Sequence, residues 1–167
     1  MTKKLDIKNK RLLIKDRLLL RERVQPSIDN HQLEFVAEFK GLAFVNDAKS
    51  IRITATRYSL EMIETSVVLI IGGDDATNDY SILVNQIKQK VVAIIYLGEN
   101  SDKILKHCST LELFFSKANT INEAIQIASC IGQSGDVVLF SPACQVANEN
   151  YIKRGNEFKQ IVNQLSV

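Results

Sequence analysis

Apolar residues in this chain gather into short unbroken runs separated by stretches of helix-favouring polar residues. Residues 67–71 (VVLII), 91–97 (VVAIIYL) and 137–140 (VVLF) are apolar throughout. Continuous apolar strands of this length are buried on both faces, as in a parallel sheet covered by helices. A further strand is expected at 111–115. Residues 33–39 alternate instead, Lys40-Gly41 supplies a turn, and 42–45 returns, which predicts a β-hairpin. Helices are expected near 50–64, 79–89, 101–107, 120–132 and 148–165. Strands alternating with helices predict an α/β fold: a Rossmann-like, mostly parallel sheet flanked by helices and preceded by a β-hairpin.

The first residues break this pattern. Ile7-Lys-Asn-Lys-Arg-Leu-Leu13 is echoed by Ile14-Lys-Asp-Arg-Leu-Leu-Leu20, with no Gly or Pro before Pro26. Residues 8–24 therefore read as a basic amphipathic helix, with two short strands as the competing reading. Residues 25–30 (QPSIDN) form a linker. The division is thus an arm and linker at 1–30 and a domain at 31–167.

Charge sharpens that division. Residues 1–24 hold nine Lys/Arg against three Asp/Glu, whereas residues 25–167 hold twelve against sixteen. The overall charge of +2 hides a basic arm on an acidic body. The apolar stripe of 8–24 suits a protein partner or a second copy, unless it packs on its own domain. Nucleic acid is an unfavoured partner, because leucines rather than stacking aromatics interleave the arm's cations and the body is acidic.

Composition adds bounds. With 167 residues, 46% hydrophobic and 24% charged, the chain suits one globular domain. No apolar run approaches the roughly 20 residues that a membrane helix needs. The beginning Met-Thr-Lys-Lys lacks a signal peptide's apolar core, so a cytoplasmic location and no membrane association are expected. Cys108, Cys130 and Cys144 are odd in number and widely spaced, which suits reduced thiols. With two histidines and no CxxC or HxxxH, no protein-ligated metal site is expected.

Candidate chemistry lies just past the strands. In an open α/β sheet, ligands sit at the carboxyl ends of the strands. Three polar corners are expected there: Asn46-Asp47-Ala48-Lys49-Ser50, Gly72-Gly73-Asp74-Asp75 and Ser141-Pro142-Ala143-Cys144. Each has a plainer reading. Asp47 and Ser50 would cap the next helix, Lys49 would be solvated, and the glycines and Asp74-Asp75 would merely turn the chain. Cys144 lacks an evident base and is a poor nucleophile candidate. No G-x-x-x-x-G-K-[ST], G-x-G-x-x-G or G-x-S-x-G run occurs in the sequence.

Taken in order, these segments resemble the C-terminal domain of the Mur ligases, and most of all its D-glutamate-adding branch. The family pattern runs H-R-x-E-x-V, N-D-S-K-A-T-N, G-G-x-D-K-x-x-D-[FY], G-D-x-V-L-L-S-P-A-C-A-S-x-D and R-G-x-x-F. This chain has His31-Gln32-Leu33-Glu34-Phe35-Val36 and Asn46-Asp47-Ala48-Lys49-Ser50-Ile51-Arg52. It then has Gly72-Gly73-Asp74-Asp75-Ala76-Thr77-Asn78-Asp79-Tyr80, the run from Gly135 to Cys144 (GDVVLFSPAC), and Arg154-Gly155-Asn156-Glu157-Phe158. The resemblance covers roughly residues 31–165.

It implies a Rossmann-like domain that closes over an ATP-binding domain and receives the incoming amino acid, whose amine attacks an acyl phosphate to form an amide. ATP and Mg are implied only by that resemblance, and neither is expected on this chain alone. A UDP-muramoyl substrate is implied only for a complete ligase. By resemblance Asp47 and Lys49 face the nucleotide. The candidate substrate cleft comprises Asn46, Asp74, Asp75, Ser141, Cys144 and Tyr151, and no catalytic residue is assigned.

The departures from the pattern fall on ligand-facing types. Arg of H-R is Gln32, Thr of K-A-T-N is Ile51, Lys of G-G-x-D-K is Ala76, and Ser of A-C-A-S is Val146. The stretch from Cys144 to Arg154 is also two residues short. A charge-assisted hydrogen bond contributes about 1.5–3 kcal/mol. Loss of the lysine and serine types therefore removes about 3–6 kcal/mol of carboxylate binding by the same figures, unless Lys49 or Arg52 reaches in. The expectation is a domain of this kind that is inactive alone. Its alternatives are an enzyme completed in trans by a partner and a stand-alone binding or oligomerisation module.

Overall fold

The computed structural model describes residues 29–73, 78–145 and 150–165. The arm at 8–24, together with Asp74, Asp75, Ala76 and Val146, lies outside the described residues.

The hairpin forms as expected. Strand β1 (Glu34–Phe39) pairs antiparallel with β2 (Leu42–Asn46), with a bulge between Phe35 and Ala37. Lys40 and Gly41 both take positive φ (52° and 77°), the backbone that a two-residue turn needs to match strand twist. The chain continues through α1 (Ile53–Met62), β3 (Val67–Ile71), a 3-10 turn (Tyr80–Leu83), α2 (Val84–Lys90), β4 (Val91–Leu97) and α3 (Asp102–Cys108). It ends with β5 (Phe114–Ala118), α4 (Ile121–Ile131), β6 (Val137–Phe140) and α5 (Tyr151–Leu165).

The six strands form one sheet in the order β1-β2-β6-β3-β4-β5, parallel except for β1. The apolar runs explain the layering. Along β3, Val67, Leu69 and Ile71 point to one face, where they meet Leu60 of α1, Ile87 of α2 and Ile104 of α3. Val68 and Ile70 point to the other, against Ala124 and Ile125 of α4 and Phe158 and Val162 of α5. Every residue of β2, β3, β4 and β6 is buried. Two hydrophobic faces on each central strand are what a sheet covered on both sides requires. Among the described residues no helix is long and apolar enough to cross a membrane.

Two elements differ from the sequence expectation. The edge strand runs Phe114–Ala118, not 111–115. Leu111 N–H donates to the Cys108 carbonyl (2.9 Å) and Leu113 N–H to the Leu111 carbonyl (3.1 Å), so these amides turn the chain out of α3 rather than pair with β4. Their side chains are apolar because they pack on the core, not because they lie in the sheet. The first helix begins at Ile53, not near 50, because Ser50 N–H donates to the Asp47 carbonyl and Ile51 N–H to the Lys49 carbonyl. Those bonds close a turn that must end before the helix starts.

Candidate functional site

Strand order decides where the polar corners go. β6 lies between β2 and β3, so the described starts of the three corners that follow these strands, Gly72-Gly73 among them, are neighbours. Backbone bonds carry the sheet past its ends: Asp47 N–H to the Phe140 carbonyl (2.8 Å), Ser141 N–H to the Ile70 carbonyl (3.0 Å) and Gly72 N–H to the Pro142 carbonyl (3.0 Å). From β3 the chain proceeds outward to β4 and β5, then returns to place β6 on the other side of β3. The gap between β3 and β6 is therefore a topological switch point, flanked by Gly72-Gly73 and Ser141-Pro142. Gly72 takes φ +118°, and a Cβ on it would lie 2.7 Å from the Leu97 carbonyl oxygen. Glycine is a geometric requirement there.

Asp47 is fully buried. One carboxylate oxygen accepts from Leu33 N–H (3.1 Å) and the other from the Ser141 hydroxyl (2.7 Å). Thr56 Oγ1 lies 2.8 Å from Ser141 Oγ, and Ser50 Oγ lies 3.4 Å from Ser59 Oγ. Burial pushes the Asp47 carboxyl above its ordinary range, while the hydroxyls of Ser141, Ser59 and Ser50 and the Leu33 amide oppose that shift. The reading of Asp47 and Ser50 as helix caps is corrected: the residue before α1 is Arg52, and α1 has no side-chain cap. Asp47 clamps β2 to β6. Lys49, by contrast, holds its amine toward solvent, 43% exposed and 3.7 Å from Asp29.

Asn46 and Tyr151 gather around a residue that the sequence reading left aside. His31 is 6% exposed with φ 65°. Asn46 Oδ1 accepts from Ala48 N–H (3.2 Å), which fixes the amide so that Nδ2 faces Glu34 (3.0 Å) and His31 Nδ1 (2.9 Å). Nδ1 is then placed to accept, an arrangement that favours the neutral imidazole with its proton on Nε2. Burial, then the charge of Lys159, holds His31 below its ordinary pKa, against a smaller opposite effect of Glu34. Glu34 also accepts from His31 N–H (2.9 Å) and Lys159 (3.1 Å). Tyr151 meets the imidazole edge-on at 6.1 Å. A Cβ on Gly155 would collide with His31 Nδ1, so this glycine lets α5 pack on the histidine.

Two described side chains, Cys144 and Arg154, meet the Gly72 carbonyl. The Cys144 thiol (3.2 Å) and an Arg154 guanidinium N–H (3.3 Å) both donate to the Gly72 carbonyl. Arg154 is 7% exposed and lies 5.5 Å above the Phe140 ring, whose stacking partner is Phe158 (5.1 Å). Ala143 adopts φ 58°, unusual for a residue with a Cβ, and its carbonyl accepts from Asn78 Nδ2 (2.8 Å). Sequence reasoning passed over Arg154 as a site residue. Its one signal was the R-G-x-x-F match, which by itself says nothing of burial. Among the described residues no group of three or more His, Cys, Asp or Glu is placed to hold a metal ion.

No family model matches the chain. It is 38% identical over 138 residues to a UDP-N-acetylmuramoylalanine–D-glutamate ligase of Cytophaga hutchinsonii, covering 81% of this chain and 31% of that protein. The chain thus spans about 31% of that curated relative's length. A murein peptide ligase from Psychrobacter arcticus shares its fold at TM-score 0.55 and 11% identity, over 81% of this chain and 29% of that one. The chain has the fold of the Mur ligase C-terminal domains. FolC of E. coli, solved with ADP, has the same fold at TM-score 0.56 and 14% identity, over 84% of this chain and 33% of that chain. In this Mur-type domain several motif matches are structural contacts: His31 with Gly155, Asp47 with Ser141, and Arg154 with Gly72.

Proposed function

We propose that this chain is the amino-acid-receiving part of an amide-forming ligase system and does not complete the reaction by itself. The observation that carries this reading is the switch point between β3 and β6, where Gly72-Gly73 and Ser141-Pro142 meet beside a buried guanidinium. The relative's name supplies the substrate class: an acid carried on UDP-N-acetylmuramoylalanine and a D-glutamate amine. In that chemistry ATP, held with Mg, would supply the phosphoryl group that turns the acid's carboxylate into an acyl phosphate. The residues present fit the nucleotide only in part. Lys49 offers its amine from the surface, but Asp47 has both oxygens engaged inside the domain. No step through ATP is assigned to these residues, and the sequence has no phosphate-cradling G-x-x-x-x-G-K-[ST] loop.

Calorimetry tests the reading. D-glutamate should bind weakly, with Kd in the millimolar range or above, because Ala76 and Val146 replace donor types. Submicromolar binding of D-glutamate would contradict the account of those replacements.

A second reading rests on the arm's repeated leucine pattern: residues 8–24 bind a protein partner or a second copy. Sedimentation of the full chain and of a chain without residues 1–27 separates the two. A larger species only in the full chain supports assembly, and monomers in both exclude it.

A further inference from the structure

A buried cation needs an anion. Arg154 stands at the switch point as a residue only 7% exposed, and the Gly72 carbonyl at 3.3 Å is the one hydrogen-bond acceptor of its guanidinium among the described residues. That carbonyl already takes the Cys144 thiol. No carboxylate of the described residues lies within ion-pair distance of Arg154. The buried carboxylate of Asp47 is occupied by Leu33 N–H and Ser141. The Phe140 ring offers its face to the cation but accepts no hydrogen bond in the plane of the fork. A guanidinium carries five N–H donors in fixed geometry, and leaving a charge in a dry site without a counter-ion is unfavourable.

From these observations we infer that Arg154 is a binding residue of this chain that takes one carboxylate of a small acidic ligand at the β3–β6 switch point. The fork of the guanidinium matches a carboxylate bidentately. A single fixed cation suits a monoanionic carboxylate better than a phosphate dianion, and no second buried cation lies among the described residues. The elements around it are built to hold their shape: Gly72 against Leu97, Ala143 with positive φ and anchored by Asn78, and Phe158 stacked under Phe140. The inference rests on the reading of the cleft as an amino-acid site and supplies the residue that grips the ligand. It also accounts for weak binding of a diacid: one carboxylate has a partner while the donors of the other are gone.

The test uses the full chain, with ¹⁵N-labelled arginine side chains followed by NMR during titration with glutarate, D-glutamate and inorganic phosphate. The Arg154 Nε–H signal should shift on adding glutarate and D-glutamate, and much less with phosphate at equal concentration. Arg154→Gln should weaken glutarate binding at least tenfold, and Arg154→Lys should recover part of it. An Nε–H signal that ignores both carboxylates would overturn the inference without any variant having to fold. Stronger binding of phosphate than of glutarate would overturn the ligand class. If Asp74→Asn or Asp75→Asn lowers Tm as much as Arg154→Gln and no carboxylate binds, the counter-ion is internal and the inference fails. D-glutamate binding that survives Arg154→Gln unchanged would remove Arg154 but leave the reading of the cleft standing.

Discussion

His31 shows how a motif residue acts as a scaffold. Its neutral form accepts from Asn46 Nδ2, and protonation would set an N–H against an N–H donor. Its pKa is lowered in the folded chain, so below pH 6.5 the unfolded chain binds more protons. Stability should therefore fall as pH drops from 6.5 toward the folded value. Glu34, also held low, adds a further loss as pH falls below 4.5. Urea unfolding across pH 4–8 should show this slope, and His31→Gln should flatten its upper part, leaving the Glu34 portion. Gly155→Ala separates two opposing effects. A helix gains up to about 1 kcal/mol from Gly to Ala, but the Cβ would meet the His31 ring, and overpacking costs about 1–3 kcal/mol. Net destabilisation is expected, relieved in the double variant with His31→Ala. The thiols give a third prediction. Burial pushes the Cys108 thiol up to about 11, and Cys144 is buried, whereas Cys130 is exposed. At pH 8 a thiol reagent should label Cys130 in the folded chain and all three only after unfolding.

At the scale of elements, periodicity made the strands readable because their burial is two-sided and unbroken. The three central runs at 67–71, 91–97 and 137–140 coincide with β3, β4 and β6. It failed for β5, where Ser116 and Lys117 are polar because an edge strand touches solvent, while Leu111 and Leu113 imitate a strand from outside it. Helix ends were poorly legible for a related reason: they are fixed by distant groups. Lys90 Nζ donates to the carbonyls of Leu60 (2.8 Å), Glu61 (2.9 Å) and Ile63 (2.5 Å) and so finishes α1 from another helix. Lys90→Met should cost about 1–3 kcal/mol, because exposed carbonyls regain water but buried ones do not. The loss should appear in the urea midpoint and as faster amide exchange in the last turn of α1.

At the scale of the molecule, the convergence of three corners was legible because strand ends of one parallel sheet share an edge. The division of labour among them was not. Nothing in Asn46-Asp47 tells that one residue serves His31 and the other Ser141, since both partners are remote in sequence. Burial of Arg154 was equally hidden, because it depends on α5 crossing Gly72 and Phe140. What remains is a set of strand ends meeting at one switch point in a chain spanning 31% of its relative's length. The most direct measurement is phosphate release by the purified 167-residue chain given ATP, Mg, D-glutamate and UDP-N-acetylmuramoylalanine together. The account predicts release no faster than in a protein-free blank. Sustained release that requires all three substrates would contradict it.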